Sequence, residues 1–127
     1  MALATYPVLL ETGAEVIGGS TRLGAGTAQK CALGLLSTLA HIRLGAVVAG
    51  HMVRMHPTNA KLRTRAAGIV ADLAGVAPDA ARHALALARS DIEAAVLIAR
   101  GLPDAAAARR LLDEHDGSLA RALRASG

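Results

Sequence analysis

The sequence predicts a mainly α fold, and three observations carry that reading. Hydrophobic residues make up 53% of the 127-residue chain, yet Tyr6 is its one aromatic, so a core has to be assembled from Ala, Leu, Val and Ile, side chains that suit close helix-to-helix packing. From Thr27 and again from Thr58, apolar residues recur at three- and four-residue steps, the spacing of one helix face. Proline and glycine then punctuate the rest of the chain at intervals suited to short helices.

Taken in order, Pro7-Val8-Leu9-Leu10 is a short apolar run between turn-forming residues and reads as a strand, at most one short N-terminal strand for the whole chain. Alone it has no neighbour for its backbone hydrogen bonds, so the segment is expected to be disordered, rearranged or paired with another copy. The first long helix is expected from Thr27 as N-cap, with Ala28, Cys31, Ala32, Leu35, Leu36, Leu39, Ile42, Ala46 and Val47 on its apolar face and Gly45 or Gly50 ending or bending it. Cys31 in that stripe reads as a small core residue. The link from Gly50 to His56 is polar and charged enough to lie near solvent. A second helix is expected from Thr58, with Leu62, Ala66, Ile69, Val70 and Leu73 facing inward and Gly75 closing it. Pro78-Asp79 opens another helix, Ser90 with Glu93 has the spacing of a capping box, Gly101 closes that helix, Pro103-Asp104 begins the next and Gly117-Ser118 marks the last break.

Composition narrows the function classes. The formal charge of +4 invites a nucleic-acid reading, but the arginines are scattered and no aromatic platform for base stacking accompanies them. No stretch is long and apolar enough for a membrane span, and a cytoplasmic protein is the expectation. A single cysteine cannot form an internal disulfide. His41, His51, His56, His83 and His115 lack the helical spacing of a zinc site, so neither metal nor cofactor is expected; His83 and His115 are placed at the solvent-facing surface.

The chemistry is concentrated between Glu15 and Lys30. There a glycine-rich loop, Gly18-Gly19-Ser20-Thr21-Arg22-Leu23-Gly24-Ala25-Gly26, leads into the first long helix. Helix N-termini present unpaired N–H groups, Ser20 and Thr21 add hydroxyls, Arg22 adds a planar bidentate cation and Lys30 a point charge, a set suited to an anionic ligand such as a sugar phosphate. A glycine-rich turn that merely caps a helix is the alternative. Glu15 can hold a sugar hydroxyl or assist proton transfer, or simply stabilise the loop.

This string resembles the signature of the N-acetylmuramic acid 6-phosphate etherase family, sugar-phosphate lyases built on a sugar isomerase (SIS) domain, and of their relative the glucokinase regulatory protein. Leu36-Ser37-Thr38, Arg43-Leu44-Gly45, His51-Met52-Val53, Thr58-Asn59-Ala60-Lys61-Leu62 and an alanine-rich tail ending in Asp116-Gly117-Ser118-Leu119 continue the match in order. The chain departs from the family pattern where Gly24 stands for a lysine, Gly34 for an asparagine and Arg54 for an aspartate. The resemblance implies the C-terminal half only: residues 1–56 as the end of a SIS domain with its phosphate-binding loop and long helix, and 57–127 as a helical tail with a UBA-like three-helix bundle from about residue 76. It also implies that Glu15, Ser20, Thr21, Arg22 and Lys30 bind an amino-sugar 6-phosphate, Lys30 aligning with a lysine that the regulatory protein places on its ligand. The paired acidic residues credited with catalysis in the family have no counterpart here, so no catalytic residue is assigned and the chain is expected to be inactive alone. Expected partners are the sugar phosphate and either a second copy, with the Thr27 helix at the contact, or a separate N-terminal SIS half. Two rivals remain open: a regulatory module that senses a sugar phosphate for a protein partner, and a purely structural helical oligomer.

Overall fold

A computed structural model describes residues 4–126. They fall into two compact units, the first ending at Ala40 and the second beginning at His41. Six helices and one two-stranded hairpin follow in the order α1 (Gly24–Arg43), β1 (Val47–Val48), β2 (His51–Met52), α2 (Ala60–Ala74), α3 (Pro78–Leu87), α4 (Ile92–Ala99), α5 (Ala105–Glu114) and α6 (Leu119–Ala125). The mainly α expectation holds. None of the helices among the described residues is long and apolar enough to cross a membrane.

Within the first unit, Pro7-Val8-Leu9-Leu10 is not a strand, and all four residues are exposed. α1 begins at Gly24, three residues before the expected Thr27, because a carboxylate from the preceding loop caps it there. Its apolar stripe is regular but uncovered: no α1 side chain is buried, and Leu35, Leu36 and Leu39 are among its exposed large hydrophobics. Cys31 is exposed too, not the core residue that the spacing suggested. Periodicity identifies an apolar face; it carries no information about what lies against it.

The second unit holds the core. Arg43 is the last residue of α1, and the chain then turns through Gly45 at φ +75°, with Gly45 N–H donating to the Ile42 carbonyl and Ala46 N–H to that of His41. These two bonds close a helix in the Schellman manner, which requires a left-handed residue that glycine supplies without strain. The hairpin follows, Val47 opposite Met52 and Val48 opposite His51. Its two turn residues, Ala49 and Gly50, both have positive φ, as a two-residue turn matched to strand twist demands. The segment expected near solvent thus sends Val53 into the core at 2% exposure.

α2 is capped by Asn59, whose side chain accepts from Leu62 N–H, one residue beyond the expected Thr58. Ala66, Ile69 and Val70 are buried and Gly75 terminates the helix, as its sequence implies. α4 is the central element: Ile92, Ala94, Ala95, Val96 and Leu97 are all buried, leaving little of the helix for solvent. It packs on α2, α3 and α5, and α6 rests on α5. Ala81, Ala95, Ala108 and Ala122 are fully buried at these contacts, and their small side chains let the helix backbones approach closely. Asp91, not Ser90, caps α4, accepting from Ala94 N–H; Ser90 instead lies at positive φ in the turn before it. Asp104 and Ser118 cap α5 and α6 where the sequence places breaks. His83 is exposed as expected, whereas His115 is half-buried.

Candidate anion-binding loop

The loop ahead of α1 is organised by one carboxylate. Glu15 Oε2 accepts from Gly24 N–H and Oε1 from Ala25 N–H, each at 2.9 Å, and the Thr21 carbonyl accepts from Gly26 N–H at 2.8 Å. These are the first three amides of α1, the groups that a helix cannot satisfy internally. A negative charge at this end also complements the helix dipole. The amides of Ala25 and Gly24 hold the Glu15 carboxyl below the usual glutamate range, since hydrogen bonds to the charged form favour it.

Glycine is required at specific points. Gly19 lies at φ +80° in the turn closed by Ser20 N–H donating to the Ile17 carbonyl. A Cβ at Gly26 would sit 3.1 Å from the Thr21 carbonyl oxygen, and one at Gly24 would lie 3.2 Å from Glu15 Oε2. The loop closes on the helix because these positions have no side chain.

Of the residues singled out in the sequence, Glu15 is joined to the helix start. Its two contacts turn the proposed cradle inside out, because the α1 amides expected to receive a ligand anion receive this side chain. Ser20, Thr21 and Arg22 immediately precede that start, with Ser20 half-buried and the other two exposed, and Lys30 is exposed further along α1. No hydrogen bond or ion pair among the described residues links the side chains of these four to one another. What sequence reasoning missed is the pairing of Glu15 with Gly24 and Ala25, a contact across nine and ten residues.

A second polar cluster lies in the helical unit. Arg54 Nε donates to Glu93, while its Nη1 and Nη2 donate to the carbonyls of Leu44 and Gly117. Arg109 pairs with Asp91 at 2.6 Å, and both pairs line a groove of about 480 Å³ with His56 and Asp113. The polar contacts of these pairs among the described residues are internal, so the cluster fastens elements together. His51 Nε2 lies 3.6 Å from Asp72 Oδ2. Among the described residues no group of His, Cys, Asp and Glu is placed to hold a metal ion.

A glycine loop braced at the head of a helix, preceding an alanine-rich helical unit, does not by itself define a family; sequence comparison is more specific. No family model matches the chain. Curated relatives do: it is 42% identical over 125 residues to an N-acetylmuramic acid 6-phosphate etherase of Streptomyces avermitilis, covering 98% of this chain and 40% of that protein. The etherase of Deinococcus radiodurans is 44% identical over 128 residues, 100% of this chain and 41% of its own length, and that of an Enterobacter species is 43% identical over 122 residues, 96% and 40%. The chain therefore spans about two fifths of the length of the curated relatives it matches. Over that span its relatives are N-acetylmuramic acid 6-phosphate etherases.

Proposed function

We propose that the chain serves as the C-terminal portion of an etherase-like protein of cytoplasmic amino-sugar phosphate metabolism, the branch that recycles peptidoglycan. In this reading the loop ahead of α1 meets the phosphate of an amino-sugar 6-phosphate through Ser20, Thr21, Arg22 and Lys30. Glu15 braces the loop from behind. The observation that carries the reading is the double N–H donation from Gly24 and Ala25 to Glu15, because it folds the loop without consuming those four side chains. Arg22 supplies a fork matched to phosphate oxygens and Lys30 a point charge, while the hydroxyls add neutral donors.

A carboxylate that already accepts two amides is a poor proton acceptor at neutral pH, so Glu15 positions the loop and is not the base of an elimination. The chain alone binds and does not turn over. The uncovered face of α1 is the contact with a second copy in a dimer, and α3 to α5 form a UBA-like bundle that acts as packing surface. Calorimetry of the purified chain with N-acetylglucosamine 6-phosphate, beside a lactate-release assay with N-acetylmuramic acid 6-phosphate, tests this. Heat of binding that Arg22→Ala and Lys30→Ala each weaken by about tenfold, the loss of one charge-assisted contact, is expected, with no lactate. Absence of binding, or release of lactate by the chain alone, overturns it.

A further inference from the structure

Between α2 and α3 runs a groove of about 710 Å³ that the proposed function does not use. Its α2 wall is the stripe Ala60, Arg63, Thr64, Ala67, Gly68 and Ala71, which are spaced as one helix face, and its α3 wall includes Pro78, Arg82 and Ala86. Apart from the two arginines and Leu85 of α3, the helix residues that line it are small or carry short side chains. A Cβ added at Gly68 would meet nothing within 4 Å, so that stretch of the groove is open.

The charge of the groove is one-sided. Arg63 and Arg82 are the charged residues in its lining, and no carboxylate joins them there. Lys61 and Arg65 flank Arg63 on the exposed side of α2, and none of the three has an ion-pair partner among the described residues. Arg82 is held by Asp79 of its own helix, but that carboxylate is 94% exposed and the pair is a surface one. Such an exposed pair is weak, so an incoming carboxylate can take its place at little cost.

We infer that the α2–α3 groove seats an amphipathic helix of a partner protein, one with a narrow apolar stripe and carboxylates flanking it to meet Arg63 and Arg82. Two helical walls lined mostly by small residues fit a third helix at the short interaxial distance that ridges-into-grooves packing allows. The rim arginines supply charge complementarity, which selects an acidic partner and rejects a basic one. A flat nucleic acid is a worse fit, since the floor is apolar and without an aromatic platform.

The test is selection from a displayed library of helical peptides, randomised on all faces, against the full chain, followed by amide chemical-shift mapping with the winning peptide. The expected result is enrichment of helices bearing Glu or Asp beside a stripe of Ala and Leu, shifts centred on Thr64, Gly68 and Ala86, and a loss of on the order of tenfold in affinity for Arg63→Glu, whose exposed side chain leaves folding intact. Selected peptides that are basic or non-helical, shifts that map away from the groove, or affinity indifferent to Arg63→Glu would each overturn the inference. So would groove signals that broaden with concentration in the chain alone, because the occupant is then a second copy. A failure here leaves the loop before α1 untouched, since Arg63→Glu lies outside it.

Discussion

Arg54 and Glu93 are joined across thirty-nine positions of sequence, Nε to Oε1 at 3.3 Å, and through them the hairpin is fastened to α4. The same guanidinium donates to the Leu44 and Gly117 carbonyls, so one side chain ties the end of α1, the hairpin, α4 and the α5–α6 turn. Glu93 is 14% exposed, and removing its partner leaves a largely buried carboxylate uncompensated. Arg54→Ala is therefore expected to cost about 1–3 kcal/mol in urea unfolding. A change within about 0.5 kcal/mol, typical of surface sites, would show that the tie contributes nothing.

Two carboxylates give opposite pH dependences. Burial pushes the Glu93 carboxyl up, against the lowering pull of Arg54. A folded state that holds this proton more tightly than the unfolded chain gains stability at acid pH and loses it as pH rises through and above the ordinary glutamate value of about 4.3. Glu93→Gln should remove that decline, which urea midpoints on both sides of the range will reveal. A wild-type decline that survives unchanged in the variant places its origin elsewhere.

Glu15 works in the other direction. Its carboxyl is held down by the Ala25 and Gly24 amides, so its contribution is present above the ordinary glutamate range and lost as pH falls towards its lowered value. Exchange of the Gly24 and Ala25 amides, normalised to intrinsic rates, should be protected at neutral pH and unprotected in acid. Glu15→Gln should lose most of the neutral-pH protection; protection equal to wild type would mean that the carboxylate does not cap the helix.

The closeness of Thr21 to Gly26 makes another test. Gly26→Ala would press a methyl against backbone, at 3.1 Å from the Thr21 oxygen, and the loop must open by a few tenths of an ångström. Weaker N-acetylglucosamine 6-phosphate binding with an unchanged unfolding midpoint for the helical unit is the expected outcome. Unaltered affinity would separate loop geometry from binding.

How much of this was legible beforehand depended on what each residue demands. Gly75, Pro78, Asp104 and Ser118 act on their own backbone or the next turn, so the boundaries of α2, α3, α5 and α6 could be read within a residue or two. Asp91 was hidden by Ser90, because both residue types cap helices and only the backbone of the turn decides between them. The hairpin went unseen because Ala49 adopts a positive φ that alanine seldom takes. In the candidate site, residue types were readable and relationships were not: Glu15 stands far enough from Gly24 that its role follows from how the loop folds back.

The uncovered α1 face sets up a measurement on Cys31. Of the exposed large hydrophobics among the described residues, only Leu87 lies outside Tyr6 to Leu44, so association should occur through α1 and the segment before it. Labelling of the exposed Cys31 thiol should slow as protein concentration rises, and Leu36→Glu should abolish the slowing. Labelling independent of concentration would argue against α1 as the contact.

The central claim is that the loop braced by Glu15 receives the phosphate of an amino sugar. Its most direct test is an amide spectrum of the full chain titrated with N-acetylglucosamine 6-phosphate, with N-acetylglucosamine as the control lacking the phosphate. Saturable shifts confined to Ser20, Thr21, Arg22 and the start of α1, seen only with the phosphorylated sugar and lost in Arg22→Ala, are predicted. Shifts elsewhere, equal shifts with both sugars, or none at all would contradict the account.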